Sequence, residues 1–228
     1  SRFIKGDMGR SFEYNRPVVE VLMPRLGMTM IVSIAALIVT YIIAIPIGIY
    51  SALNQYSIPD YIFSIIAFAG VSMPNFLLAL ILMVFAYRTF GVSIGGLFSL
   101  EYVDAPWNWA KIVDLLKHLP IPLAVIGLSG TAWLMRTMRA TLLDEIHKPY
   151  VQTARAKGLK EGQVLRRYPI RVALNPIAST IGWQLPNIFS GQTIVAIVLD
   201  LPTIGPVLLR ALMTEDMFLA ASTVMITT

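Results

Sequence analysis

IVSIAALIVTYIIAIPIGIY, residues 31–50, decides the fold class. The run carries no charge and its polarity does not alternate. A membrane-spanning strand would alternate apolar and polar residues over about ten positions. A continuous apolar run of about 20 residues, rising about 1.5 Å per residue, crosses the hydrocarbon as a helix. Inside lipid every backbone N–H needs a partner, and a helix supplies it within one segment. Outward from this run, the charge-free stretch extends from Leu26 to Pro59, with Met28 to Ser51 its most apolar part. Four more follow: Tyr61 to Tyr87, Leu119 to Met135, Val172 to Leu199 and Met217 to Thr228. They predict spans at about 26–51, 61–87, 119–136 and 172–199, with 217–228 as a truncated span. Repeated charge-free runs of this length argue against the buried helices of a large soluble core.

Composition agrees. Of 228 residues, 56% are hydrophobic and 14% charged, against about 25% charged in an ordinary soluble domain. The stretch has no cysteine, which excludes a disulfide framework, a thiolate zinc site and a cysteine nucleophile. Its two histidines, His118 and His147, are too few for most metal sites. No phosphate-binding G-x-x-x-x-G-K-[ST] occurs, so the stretch offers no loop for ATP. Residues 91–95 match G-x-S-x-G, but they follow an apolar helix rather than a strand, so the match is chance. Neither catalytic nor metal-ligating residues are predicted. The net charge of +5 does not indicate nucleic acid, because the basic residues are concentrated in one segment. Residues 136–171 hold Arg136, Arg139, Lys148, Arg155, Lys157, Lys160, Arg166, Arg167 and Arg171, half of the 18 Lys and Arg, opposed by Asp144, Glu145 and Glu161. That density marks a cytoplasmic loop. The raw tally does not decide, since the segments on the other face hold as many.

Two further features mark the apolar stretches. Prolines interrupt them, and Pro74 and Pro186 are candidate hinges, since proline lacks an N–H and can kink a helix. Around Pro186, Gln184, Asn187, Ser190 and Gln192 crowd an otherwise apolar segment. Polar side chains at membrane depth face a cavity or another helix, so these four are candidate linings of a substrate path. Between spans, residues 88–118 hold Trp107, Trp109 and the amphipathic AKIVDLLKHL, which predicts an interfacial helix with an aromatic anchor.

The basic segment contains KPYVQTARAKGLKEGQVLRRYPIRVALNP, residues 148–176. Pro149 suits the first turn of a helix running to about Lys157. Ala154 and Gly158, four apart, would share a face with little side-chain bulk. Gly158 can end the helix in a left-handed conformation. Leu159, Val164 and Leu165 open a second short segment that Pro169 stops. Two short helices with a bend, rimmed by arginine and lysine, form a knob suited to a groove on another protein. Composition alone favours a solvated basic loop lying on anionic lipid headgroups.

This segment resembles the EAA loop of binding-protein-dependent ABC importer permeases, and most closely the dipeptide/oligopeptide type. Tyr150, Val151, Thr153, Ala154, Arg155, Ala156, Lys157, Gly158 and Leu159 stand in the family pattern, while Gln152 replaces the glutamate that names the motif, as in first-subunit types. GDMGRSF (6–12), RPVVEVL (16–22), GVSMPNFLLAL (70–80) and LNPIASTIG (174–182) resemble other family segments in the same order. The resemblance implies an all-α, polytopic transmembrane helix bundle of the type I ABC importer permease (MetI-like) fold. It would be one permease domain over 1–228 with a cytoplasmic coupling-helix loop at 137–171, the first span and the C-terminal end lying outside this stretch. Tyr150, Gln152, Thr153, Ala154, Arg155, Ala156, Lys157, Gly158 and Leu159 would contact the ATPase.

The implied partners are a second homologous permease, two ATPase subunits that bind ATP and magnesium, an extracellular or periplasmic solute-binding protein, and membrane lipids. No cofactor is expected in this chain. The implied place is a prokaryotic inner or plasma membrane, with transport by alternating access. Where the family usually has a glutamate, an aromatic residue and Pro-Gly, this sequence has Ala196, Leu199 and Pro202-Thr203. The expected cargo therefore widens to a small solute of peptide or oligosaccharide class. A stand-alone channel or ion-coupled carrier is the alternative. The four complete spans hold no ionisable residue between their charged borders, which weighs against ion coupling.

Overall fold

The computed structural model describes residues 8–90, 95–103, 105–191 and 193–227; for Phe90, Ser129 and residues 183–191 it describes the backbone alone. The chain folds as helices in the order α1 (Val18–Leu53), α2 (Ile58–Ser72), α3 (Asn75–Phe90), α4 (Trp109–His118), α5 (Pro120–Ile146), α6 (Pro149–Ala156), α7 (Glu161–Arg167), α8 (Pro169–Gly191), α9 (Thr193–Val198), α10 (Ile204–Met213) and α11 (Met217–Thr227). Among the described residues, a 3-10 turn covers Leu100–Tyr102. Among the described residues no strand forms beyond an isolated bridge between Arg10 and Pro17. The chain is all-α, as its apolar runs require.

The helices differ from the predicted spans in informative ways. α1 begins at Val18, eight residues before the charge-free run, and passes through Pro24 and Pro46. Glu20 and Arg25 thus limit the apolar surface of that helix, not the helix itself. α5 likewise continues past Arg136 to Ile146. The run predicted as one span at 61–87 is two helices, because Met73 sits extended at φ −89° and ψ 133° before Pro74. A residue before proline is pushed out of the helical region, and Pro74 has no N–H to continue the ladder. The run predicted at 172–199 lies within α8 and α9, and Gln192 between them lies outside the described residues. By length and apolarity, α1 alone qualifies as a complete span among the described residues. Up to three qualify if α2 with α3, and the two parts of Pro120–Ile146, each count as one. Large apolar side chains stay exposed along these helices, including Ile42, Ile65, Phe68 and Phe85, as lipid-facing surfaces require.

The chain forms two compact units, each assembled from separated segments. The first gathers residues 1–36, 75–126 and 185–228. Val32, Ala36, Ala79, Leu97, Leu115 and Leu199 share one core. Val18, Val21 and Leu22 pack with Ile204, Val207, Ala211 and Leu219 in another. Thr29 joins them: its hydroxyl donates to the Arg25 carbonyl (2.7 Å) and accepts the N–H of Ile204 (2.9 Å) at the start of α10. In α4, the Asn108 side chain caps the first turn by accepting the Lys111 N–H at 2.8 Å. Asp114 accepts both the N–H and the hydroxyl of Ser99 at 2.7 Å. Burial pushes the Asp114 carboxyl up, but the Ser99 bonds and the charges of His118 and Lys117 outweigh it and hold it below its usual value.

Asp216 ties the segment before α1 to the start of α11. It is fully buried, accepts the Ser11 hydroxyl (2.5 Å) and the Glu13 N–H (3.2 Å), and caps α11 through the Leu219 N–H (3.1 Å). Burial raises its pKa, while Ser11 and the N–H groups of Leu219, Glu13 and Phe12 lower it further, so the net shift is downward. Hydrogen bonds to a charged group contribute about 1.5–3 kcal/mol each. Asp216→Ala should therefore lower stability by at least ~3 kcal/mol, read as a fall in the thermal midpoint in detergent. Because the folded carboxyl titrates below the unfolded value of 3.8, this stabilisation is complete above that value and disappears as pH falls through the lower folded one. The gap between wild type and Asp216→Ala should stay constant at neutral pH and close only in strong acid. A gap that closed near neutrality would contradict the assignment.

The second unit gathers residues 37–74 and 127–184. Ala44, Ala52, Ala67, Leu134, Met138, Leu142, Ala173 and Ile177 form its main core. α1 and α5 meet there at Gly48: a Cβ on Gly48 would lie 2.7 Å from the Met138 Cβ and 2.9 Å from the Met135 carbonyl oxygen. Glycine lets the two backbones approach this closely. At the start of α2, Asp60 is 3% exposed and accepts the Tyr56 N–H (3.0 Å) and Arg139 Nη2 (3.2 Å).

Candidate functional site

The elbow at residues 148–168 is built from its own small core. Val151, Ala154 and Val164 are buried together, with Leu159 and Tyr168 packed against them. Burying a valine side chain contributes about 1.5–3 kcal/mol. This cluster is enough to shape a bend but not to fold alone. α6 starts at Pro149, whose missing N–H costs nothing at a first helical position. The helix ends at Ala156, with the Lys157 N–H bonded to the Thr153 carbonyl at 3.1 Å. Gly158 follows at φ +76°, and a Cβ there would meet open space. The left-handed backbone, rather than crowding, is what calls for glycine at this position.

An ion pair closes the elbow. Arg155 Nε lies 3.2 and 3.1 Å from the two Glu161 carboxylate oxygens, and Nη2 lies 2.7 Å from Oε1. This fork ties α6 to the first turn of α7. The hydrogen bond with Arg155 draws the Glu161 carboxyl below its usual range and raises Arg155 in turn. At the other end, the Tyr150 hydroxyl donates to Glu145 at the end of α5, and Lys148 Nζ stands 3.8 Å from Glu145. Burial and that bond push the Tyr150 hydroxyl up to about 12, so it stays a donor. The Tyr150 and Tyr168 rings lie 6.4 Å apart. The sequence shows Glu145 and Glu161 as charges opposing the basic cluster, but not that they pair with Tyr150 and Arg155.

The structure reorients the expected contact face. The sequence places Ala154 and Gly158 on one face with little side-chain bulk if the helix reaches the glycine. Ala154 is instead 4% exposed and faces Val164, while Gly158 is exposed. α7 folds back over the helix side that carries Val151 and Ala154, which removes that side from contact. The outward stripe of α6 is Pro149, Gln152, Thr153 and Ala156, followed by Lys157 and Gly158, all exposed. These positions follow the i, i+3, i+4, i+7 spacing of a single helix face. Thr153 returns its hydroxyl to the Pro149 carbonyl at 2.9 Å. Arg155 and Leu159 are half-buried, and Tyr150 is 38% exposed.

The other predicted site residues are placed less fully. Pro74 lies in the break between α2 and α3. Gln184, Pro186, Asn187 and Ser190 have helical backbone in α8, but their side chains lie outside the described residues. Gln192 lies outside them altogether. No group of three metal-ligating side chains occurs among the described residues.

The first unit contains a cavity of about 590 Å³ that the sequence did not announce. The segment before α1, the first turns of α1, the 95–111 segment and the α9–α10 turn build its walls. Tyr14, Phe98 and Trp107 contribute rings; Arg25, Lys111 and Arg210 contribute cations; Asp200 contributes a carboxylate. The Arg25 guanidinium lies 5.2 Å from the Tyr14 ring centroid, and Lys111 Nζ lies 4.9 and 5.4 Å from those of Phe98 and Trp107.

Comparison with known proteins places these features in a family context. Residues 44–228 match the family described as "Binding-protein-dependent transport system inner membrane component". The chain is 34% identical over 215 residues to a putative peptide permease protein of Brucella ovis, covering 93% of this chain and 66% of that protein. It is 33% identical over 215 residues to the oligopeptide transport system permease protein AppB of Bacillus subtilis, again covering 93% and 66%. Against the peptidoglycan transport system permease protein YejB of Agrobacterium fabrum it is 34% identical over 207 residues, covering 89% and 57%. The chain thus spans about two thirds or less of the length of these relatives.

Proposed function

Because this chain belongs to the family of binding-protein-dependent transport system inner membrane components, we propose that it is a multi-pass permease subunit of an ATP-driven importer whose elbow receives work from separate ATPase subunits. The cargo is a small solute of peptide class, delivered by an extracellular or periplasmic binding protein. The names of the relatives, a peptide permease and an oligopeptide permease among them, support that class. A second homologous permease completes the path. ATP and magnesium are held by two ATPase subunits, and this chain contributes no catalytic group of its own.

One observation carries the reading: α6 presents Gln152, Thr153, Ala156 and Lys157 outward over a core that the elbow supplies for itself. A knob built this way keeps its shape while its outer face is free to enter a groove. The Arg155–Glu161 fork supports it by letting α6 and α7 move as one piece. Closure of the ATPase pair would displace the knob, and a helix bundle with two discrete packings would convert that into opening toward the other side. ATP must favour one packing over the other for this to work; equal binding to both moves nothing.

This stretch has no cysteine, so one introduced here can be labelled selectively once any outside it are replaced. Ala156→Cys should react readily with a maleimide in the isolated permease and become protected when the ATPase subunits are bound. Ala154→Cys, facing the elbow core, should react slowly in both. Equal labelling of Ala156→Cys with and without the ATPase would refute the docking assignment.

A further inference from the structure

We propose that the cavity of the first unit is a subsite for a zwitterionic, peptide-like solute, with Arg25 facing its carboxylate and Asp200 facing its ammonium group. This deepens the reading of the chain as a peptide importer's permease and rests on it. The volume of about 590 Å³ falls within the range of about 300–1,000 Å³ that holds a small molecule. A concavity of that size suits a few linked residues better than a single side chain from a docking protein.

The charges around the cavity are unequally engaged. Arg210 is paired with Glu13 at 2.9 Å. Lys111 is 5% exposed and donates to the carbonyls of Val103 (3.2 Å) and Ala105 (2.7 Å), so it holds the wall in shape. Arg25 differs: its Nη1 bonds the Val21 carbonyl at 3.0 Å, and its guanidinium forms no ion pair among the described residues. A guanidinium keeps further donors in a planar fork matched to a carboxylate. Asp200 also forms no ion pair among the described residues, and it is exposed.

The backbone around Asp200 is held firmly. Its N–H bonds the Ile197 carbonyl (3.2 Å), Leu201 bonds Ala196 (2.8 Å), and Gly96 bonds Leu199 (2.8 Å). Asp200 sits at φ +50°, a left-handed conformation that non-glycine residues adopt uncommonly. Among the described residues, a carboxylate without an ion-pair partner thus stands at the rim of a cavity whose wall carries a guanidinium without one. The rings of Tyr14, Phe98 and Trp107 add apolar surface for the body of the solute. A free peptide carries one charge of each sign at its ends, which is the pattern this arrangement complements.

The test uses the full-length subunit assembled with its partner permease and ATPase subunits in nanodiscs, without binding protein. The probes are trialanine and its N-acetyl, C-amide derivative, measured by calorimetry. Wild type should bind trialanine at least ~10-fold more tightly than the capped peptide. Arg25→Gln and Asp200→Asn should each weaken trialanine at least ~10-fold without changing the capped peptide, and Arg25→Lys should restore part of the loss. Equal affinity for the two probes, no binding of trialanine, or unchanged binding by Arg25→Gln and Asp200→Asn in normally assembled complexes would overturn the subsite. ATP-dependent peptide uptake in proteoliposomes with binding protein separates the two readings. Uptake by wild type alongside any of those results overturns the subsite alone, whereas absence of ATP-driven uptake overturns the importer reading beneath it.

Discussion

Ala154→Asp should abolish ATP-dependent uptake while leaving the subunit in the membrane. Ala154 is 4% exposed and packs with Val151 and Val164 in the elbow core. An unpaired carboxylate in such a place costs several kcal/mol. The elbow core, two valines and an alanine with flanking contacts, supplies stabilisation of only similar size. The elbow should open, the Arg155–Glu161 fork should part, and the ATPase subunits should co-purify poorly. The main core of the second unit lies elsewhere, around Leu134, Met138 and Ile177, so membrane insertion and expression should persist. Ala154→Ser, which adds one small hydroxyl, should lose far less. Uptake by Ala154→Asp at the wild-type rate, with normal recovery of the ATPase, would refute the elbow's role.

Gly48→Leu should have the largest effect on assembly of the subunit itself. Even the first added carbon would stand 2.7 Å from Met138 Cβ and 2.9 Å from a backbone oxygen on α5. Neither is the free end of a flexible chain, so the two helices must separate. Overpacking costs about 1–3 kcal/mol, occasionally more. A branched side chain at a backbone-to-backbone contact belongs at the upper end. Gly48→Ala should lower the thermal midpoint in detergent by several degrees, and Gly48→Leu should leave little folded protein. Met138→Ala removes Cγ, 3.0 Å away, but keeps Cβ, so it should rescue Gly48→Ala little and leave the clashes with Met138 Cβ and the Met135 carbonyl in place. Normal melting of Gly48→Leu would show that α1 and α5 do not meet as described.

The fold class was legible because lipid removes the alternatives: an uncharged run of 20 residues has to satisfy its own backbone. Helix ends were less legible. Charge marks where an apolar surface stops, and α1 and α5 both continue past their charged residues in helical form. The break at Met73 follows from Pro74 and could have been read as an interruption rather than a bend within one helix. At the elbow, Pro149 and Gly158 carry their conformations in their residue types, so both helices could be placed. Which face turned outward could not, because it depends on where α7 folds back, and that depends on Val164 meeting Ala154. The cavity was invisible because its walls come from segments as far apart as Tyr14, Trp107 and Asp200, and no local pattern links them.

Ser11 and Asp216 stand 205 positions apart in the chain and close on each other inside the first unit. During synthesis the hydroxyl emerges early, while its carboxylate partner does not yet exist. The segment before α1 must therefore wait, without this contact, until α1 to α10 have been made. Contacts this distant in sequence form slowly because loop closure precedes any gain. Quality control that samples the nascent chain would meet a loose segment around Ser11 until α11 is made, and the closing of that contact would report that the first unit has come together.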